Sequence, residues 1–171
     1  MERRQAAAAA QPGQSLRAGA DDGGLRQRRP ALIVYLDTSG LVKLLVEEDG
    51  SKVVERAVRE AEVIAALVLT YVEARAALAR MRAGGRLEPN DHGASLRELD
   101  GVWDTIAKVA VDADLVTRAA ALADRHLLRA YDAMQLAGAL ELAGAQQPGF
   151  ACWDGDLRAA ALDEGLALVP E

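Results

Sequence analysis

Residues 31–36 read Ala-Leu-Ile-Val-Tyr-Leu without one charged or amide side chain, and the run stops at Asp37-Thr38-Ser39. A short continuous apolar run rich in β-branched residues, with Pro30 before it, predicts a strand buried on both faces. A strand of this kind suits a parallel sheet covered by helices on both faces, and the order of elements after it decides the fold class. The rest of the chain agrees. Helical apolar spacing follows over residues 40–47 (Leu41, Leu44, Leu45) and 52–61 (Val53, Val54, Ala57, Val58), with Ser51 placed to cap the second. Residues 63–69 are a second apolar run, and Thr70 begins a long helix through Tyr71, Ala74, Leu78 and Met81 that stops at Gly84 and Gly85. Another helix is expected over 89–103, with Pro89 in its first turn, where a missing N–H does no harm. Strands are expected at 106–111, 149–153 and 166–169. Helices are expected after the Asp112 cap, over 131–142 ending near Gly144, and over 157–162. Strands that alternate with helices imply right-handed crossovers and a three-layer domain: a central parallel sheet of four to five strands flanked by helices.

The chain has 171 residues, enough for one such domain. Its 51% hydrophobic content includes 36 alanines and only 4% aromatics, so the core is built from small side chains. The formal charge is −6, but the two parts divided at Pro30 differ in sign. Residues 1–30 carry six Arg against three acids, whereas residues 31–171 carry 14 basic against 23 acidic side chains, or −9. The leading segment has an alanine run over 6–10 and no hydrophobic period, which reads as a disordered basic extension preceding the domain at 31–171. A translation start placed too far upstream and a basic arm for a partner both explain it. A domain at −9 does not hold nucleic acid through a broad basic face, and any polyanion it handles is met locally. One cysteine, Cys152, excludes a disulfide framework or a cysteine-cluster metal site and suits a reducing, cytoplasmic setting. No apolar stretch approaches the roughly 18 residues of a membrane span.

In open parallel sheets ligands bind beyond the carboxyl ends of the strands. Acids gather there. Asp37 follows the first strand directly, Glu73 lies one helical turn beyond the second, Asp154 follows Trp153, and Asp156 is two residues further. Asp132 opens an Ala-rich, otherwise apolar helix. Each has a purely structural explanation: Asp37 and Asp154 can cap the helices after them, Thr70 and Glu73 have capping-box spacing, and Asp132 suits a helix first turn. Clustering explains all of them together, since a parallel sheet brings strand ends from distant sequence positions to one edge. Several carboxylates in one pocket raise one another's pKa, and a hard divalent cation resolves that conflict. Oxygen ligands without cysteine or a histidine pair select Mg²⁺, with Mn²⁺ as a substitute. Such an ion activates water and neutralises charge on a phosphoryl group, which points to phosphodiester hydrolysis.

At these residues the chain resembles PIN-domain ribonucleases of the VapC toxin type. The matching segments are Val34-Tyr-Leu-Asp-Thr-Ser39 with Gly40-Leu-Val-Lys-Leu-Leu45, then Leu69-Thr-Tyr-Val-Glu-Ala74, Leu128-Arg-Ala-Tyr-Asp-Ala-Met-Gln-Leu-Ala137, and Trp153-Asp-Gly-Asp-Leu157. The resemblance covers residues 33 to about 169. It implies a Mg²⁺-dependent endoribonuclease, dimeric or in a hetero-oligomer, and neutralised by a small VapB-like antitoxin. Asp37, Glu73, Asp132 and Asp154 match the acidic quartet of that family, with Asp37, Asp132, Asp154 and Asp156 as metal ligands and Ser39 as a donor that orients them. In the mechanism this implies, Glu73 positions the attacking water or a second metal. Two positions depart from the family pattern: Gln135 stands where His is frequent, and Cys152 where Thr commonly precedes the last acid. Cys152 reads as a small buried hydrophobe, and His92 and His126 are expected on helical surfaces without a role.

For substrate, Arg75 and Arg129 lead a set of cations near the acids that also includes Lys43, Arg80, Arg82 and Arg86. A weakly binding acidic domain favours a shaped or single-stranded RNA. For the antitoxin, the apolar side chains of the helices over 40–61 offer a groove for a partner helix, or else ordinary core. A haloacid dehalogenase phosphatase needs an acid at position 39, where Ser39 stands, and no Gly-rich loop with Lys supports P-loop chemistry. The alternative of another kind is a non-catalytic PIN-like RNA-binding or scaffold module, or a PIN nuclease that works without an antitoxin.

Overall fold

The computed structural model describes residues 32–143 and 147–170, so the reading of residues 1–30 and the helix stop at Gly144 lie outside the described residues. Five strands form one parallel sheet: β1 (Ile33–Leu36), β2 (Val63–Leu67), β3 (Ala107–Val109), β4 (Gly149–Ala151) and β5 (Ala167–Val169). Among the described residues the helices are α1 (Thr38–Leu45), α2 (Ser51–Glu60), α3 (Thr70–Ala83), α4 (Pro89–Thr105), α5 (Ala113–His126), α6 (Ala130–Glu141) and α7 (Gly155–Asp163). All twelve expected elements form. β2, β3 and β4 stop before the ends of their apolar runs, and β1, β3 and β5 start one or more residues inside theirs. Leu69 and Val111 continue apolar packing outside the ladder.

The sheet order is β3-β2-β1-β4-β5. The chain starts at the centre, moves out through β2 and β3, and then returns to the other side of β1. The strand order therefore reverses at β1, and a crevice opens beyond its carboxyl end. β1 shows the two-residue period of a strand buried on both faces. Tyr35 points into one core with Leu67, Phe150, Leu115, Leu136 and Leu157, while Val34 and Leu36 point into the other with Leu41, Val54, Leu78 and Leu99. The abundant alanine has a use here: Ala65, Ala66, Ala74, Ala133, Ala137, Ala151 and Ala161 are buried and let helices lie close on the sheet. Each fully buried leucine contributes roughly 1.5–3 kcal/mol from burial alone.

Two expectations change. Helix α2 starts at Ser51 itself with Gly50 at its cap, and the Ser51 hydroxyl instead accepts from the Glu48 N–H and donates to the Val46 carbonyl. The apolar surface of α1 and α2 is mostly core: Leu41, Leu45 and Val54 are buried, Leu44, Ala57 and Val58 are partly buried, and Val53 is exposed. Among the described residues, no helix is long and apolar enough to cross a membrane.

Candidate active site

The site begins at the end of β1. The Asp37 N–H donates to the Ala151 carbonyl of β4, and its side chain caps α1 by accepting the Ser39 N–H at 3.2 Å. The Ser39 hydroxyl donates to the same oxygen at 2.7 Å and accepts the Trp153 N–H at 3.0 Å, which ties the β1 and β4 ends together. This closeness depends on Gly40, where a Cβ would stand 2.5 Å from the Ala151 carbonyl oxygen. Asp37 is 6% exposed. Burial pushes its carboxyl above the usual range, against the downward pull of the Ser39 hydroxyl, the Ser39 and Thr38 N–H groups and the Cys152 thiol.

Glu73 reaches the site from the first turn of α3. The capping box expected of Thr70 and Glu73 does not form. The helix starts after Leu69 with no side-chain cap, Thr70 turns inward, and the Glu73 Oε2 accepts from the Thr38 hydroxyl at 2.8 Å and from the Gln135 amide at 2.7 Å. The anion thus bonds to α1 and α6 instead of to its own helix.

Asp132 lies in the first turn of α6, half-buried. Its carboxyl is held above the usual range first by burial, then by the charges of Asp154 and Asp37, with Arg129 pulling down and Glu73 pushing up. Asp154, Asp37 and Glu73 thus all act on Asp132. Asp154 follows β4, is exposed, and caps α7 by accepting the Leu157 N–H at 3.0 Å. Asp156 is exposed in the next turn and does not line the cavity.

Asp37, Thr38, Ser39, Glu73 and Asp132 line one open cavity of about 350 Å³, together with Glu48, Arg80 and Arg86. Arg80 and Arg86 supply the cations at its rim. Arg129 is exposed beside Asp132. Arg75 lies elsewhere: its guanidinium sits over the Tyr71 ring, donates to the Tyr71 hydroxyl at 3.0 Å and faces Asp100 at 3.6 Å. Lys43 is buried over Trp153 and donates to Glu48 and to the Asp49 carbonyl, so it is used internally. Cys152 is fully buried and its thiol is pushed up by desolvation, which makes it no nucleophile. His126 is not a solvated surface group, since its Nε2 lies 2.7 Å from Glu164.

The donor set fits a hard cation by chemistry: all oxygen, mutually repelling, open to water on the Asp132 side. Among the described residues, however, no three acidic, histidine or cysteine side chains converge tightly enough to hold an ion together. Mg²⁺ suits such a site, because it keeps several waters and takes only one or two carboxylates.

Sequence comparison agrees with this geometry. Residues 34–146 match the PIN domain. The chain belongs to the PIN-domain family. Two proteins of Mycobacterium tuberculosis, Ribonuclease VapC45 of strain CDC 1551 and Ribonuclease VapC49 of strain H37Rv, are each 32% identical over 140 residues, covering 81% of this chain and 95% of theirs. The fold is similar to the crystal structure of PAE2754 from Pyrobaculum aerophilum, with TM-score 0.55, 25% identity, and coverage of 85% of this chain and 89% of the other. This PIN domain carries two functional candidates that sequence reasoning passed over, Thr38 and Gln135. The available signal was a lone amide one turn after Asp132 on an otherwise apolar helix.

Proposed function

We propose that this PIN domain is a VapC-type toxin, an endoribonuclease that hydrolyses RNA with Mg²⁺ and is neutralised by a VapB-like antitoxin in the cytoplasm. The observation that carries the reading is the convergence of Asp37, Glu73 and Asp132 on one cavity also lined by Arg80 and Arg86. The names of the mycobacterial relatives support it. Asp37 and Asp132 would hold the ion, with Asp154 and Asp156 acting through waters, and Ser39 fixes the Asp37 oxygen it bonds. When bound, the ion supplies Lewis acidity and a water of lowered pKa. Glu73, held from two sides, orients the attacking water and takes its proton. Arg80, Arg86 and Arg129 meet substrate phosphates, and in-line attack leaves a 5′-phosphate and a 3′-hydroxyl. Arg75 serves α3 and α4 in the free protein and would contribute to RNA binding only at the edge of the site.

The lack of a tight three-acid cluster favours one second reading, a non-catalytic RNA-binding module. Mn²⁺ titration by calorimetry, beside cleavage of single-stranded RNA in MgCl₂, separates the two. The enzyme binds the ion and cuts, and Asp37→Asn and Asp132→Asn each abolish cutting with the fold retained. Binding of RNA with no cleavage under any divalent ion would instead support the module. Purification of the protein with its small partner tests the antitoxin, and light scattering of both forms tests the dimer or hetero-oligomer.

A further inference from the structure

Gln135 is 1% exposed and lies on α6 one turn beyond Asp132, yet it contacts three other elements. Its amide nitrogen donates to the Glu73 carboxylate at 2.7 Å and to the Thr70 hydroxyl at 3.0 Å, with the Thr38 hydroxyl at 3.3 Å. Its amide oxygen accepts the Tyr35 hydroxyl at 3.0 Å. A carboxylate only accepts, so the nitrogen must face Glu73, and the Tyr35 donor then finds the oxygen. Tyr35 is wholly buried at the centre of β1, and Gly138 leaves room for its hydroxyl, since a Cβ there would stand 2.6 Å away. One amide therefore joins β1, α1, α3 and α6, the elements that carry Asp37, Glu73 and Asp132. The two side-chain hydrogen bonds to Glu73 end on Oε2, and the carboxylate lines the cavity.

We propose that Gln135 is a positioning residue: through Tyr35 and Thr70 it locks the amide that fixes the Glu73 carboxylate for catalysis. The proposal rests on the ribonuclease reading for its kinetic consequence, but the brace itself exists independently of any activity. A neutral amide suits the task, because it donates to Glu73 at every pH without adding charge to an already crowded field. The buried hydroxyls of Tyr35 and Thr70 also find their partners there, so the brace and the core are one network.

The test is a mutant cycle on a short single-stranded RNA in MgCl₂, supported by NMR of the side-chain amide. Gln135→Met keeps the length of the side chain and removes its hydrogen bonds. It should lower kcat on the order of tenfold to a hundredfold with KM nearly unchanged, as expected for a misplaced reacting group. In a Glu73→Asp background, where the carboxylate is already withdrawn from the amide, the same change should cost at most about twofold, because paired residues are non-additive. Tyr35→Phe, which keeps the core shape, should give a smaller loss of the same kind if Gln135→Met folds poorly. Equal losses in both backgrounds, or a KM effect alone, would overturn the positioning role. Should the wild-type protein cut no RNA, the ribonuclease reading fails while the brace is still read by NMR. The Gln135 side-chain amide protons should be widely split and shift in Glu73→Gln, and signals unchanged by that substitution would overturn the brace.

Discussion

The β1–α1 and β4–α7 junctions use the same local chemistry and reach different ends. An aspartate follows each strand, Asp37 directly after β1 and Asp154 three residues after β4, and its carboxylate caps the next helix. Asp37 is buried, bonded by Ser39 and desolvated; Asp154 is exposed and carries only its cap. The difference comes from the sheet. β1 is central and its end is roofed by α1, α3 and α6, whereas the chain after β4 turns at the rim. A cap aspartate becomes a perturbed carboxyl, held above its usual range, where the fold withholds water from it, and stays a plain cap where it does not. The inner carboxylate is thereby held by Ser39 as well as by its cap, and the outer one by its cap alone.

The comparison is broken most severely at Asp37. Asp37→Asn keeps a capping side chain and removes a desolvated charge, so cleavage should fall by about three orders of magnitude or more, with a thermal midpoint equal to or above wild type. Asp154→Asn should lose much less activity. Asp154→Ala should also cost about 1 kcal/mol from the lost cap, measured by urea unfolding.

Gly40→Ala strikes the contact between the two junctions, because its methyl would press on the Ala151 carbonyl. A destabilisation of about 1–3 kcal/mol is expected for such overpacking, with activity reduced in step with the displaced α1.

The pH dependence sharpens the contrast further. Asp37 and Asp132 are held above the ordinary carboxylate range in the folded protein, so the folded state binds protons there that the unfolded chain does not. Without divalent ions, their contribution to stability should grow as pH falls from neutrality through the raised values and level off near the ordinary carboxylate pKa. In Asp37→Asn the gain should shrink, and MgCl₂ should suppress it by favouring the anions. Scanning calorimetry across pH, with and without MgCl₂, reads all three. Glu164 gives the smallest effect and the opposite sign. His126 and then Arg125 hold its carboxyl low, so its contribution is present above the ordinary carboxylate pKa and lost as pH falls through the lowered one. Glu164→Gln should cost no more than about 1 kcal/mol and leave cleavage unchanged.

The periodicity and the turn residues made the layers legible: the run into Asp37 marks the central strand, Gly84 ends α3 and Pro89 opens α4. Asp37, Glu73 and Asp132 were legible as candidates because a parallel sheet gathers its strand ends, and the structure lines one cavity with all three. Partner choice was not legible. A Thr and a Glu at capping spacing look the same whether the carboxylate folds back on its own helix or, as here, reaches a hydroxyl 35 residues away. Gln135 was read as a departure from a family pattern, because one amide in an apolar helix shows nothing of the four elements it meets. Lys43 was counted as a free cation for the same reason, although Glu48 and Trp153 enclose it.

The most direct measurement is cleavage of a single-stranded RNA by the purified protein and by Asp37→Asn, each in MgCl₂ and in EDTA, with circular dichroism as the folding control. Wild type should cut only with Mg²⁺, and the folded variant should not cut in either condition. Cleavage by Asp37→Asn at the wild-type rate, or by wild type in EDTA, would contradict an acid-held metal at the end of the central strand.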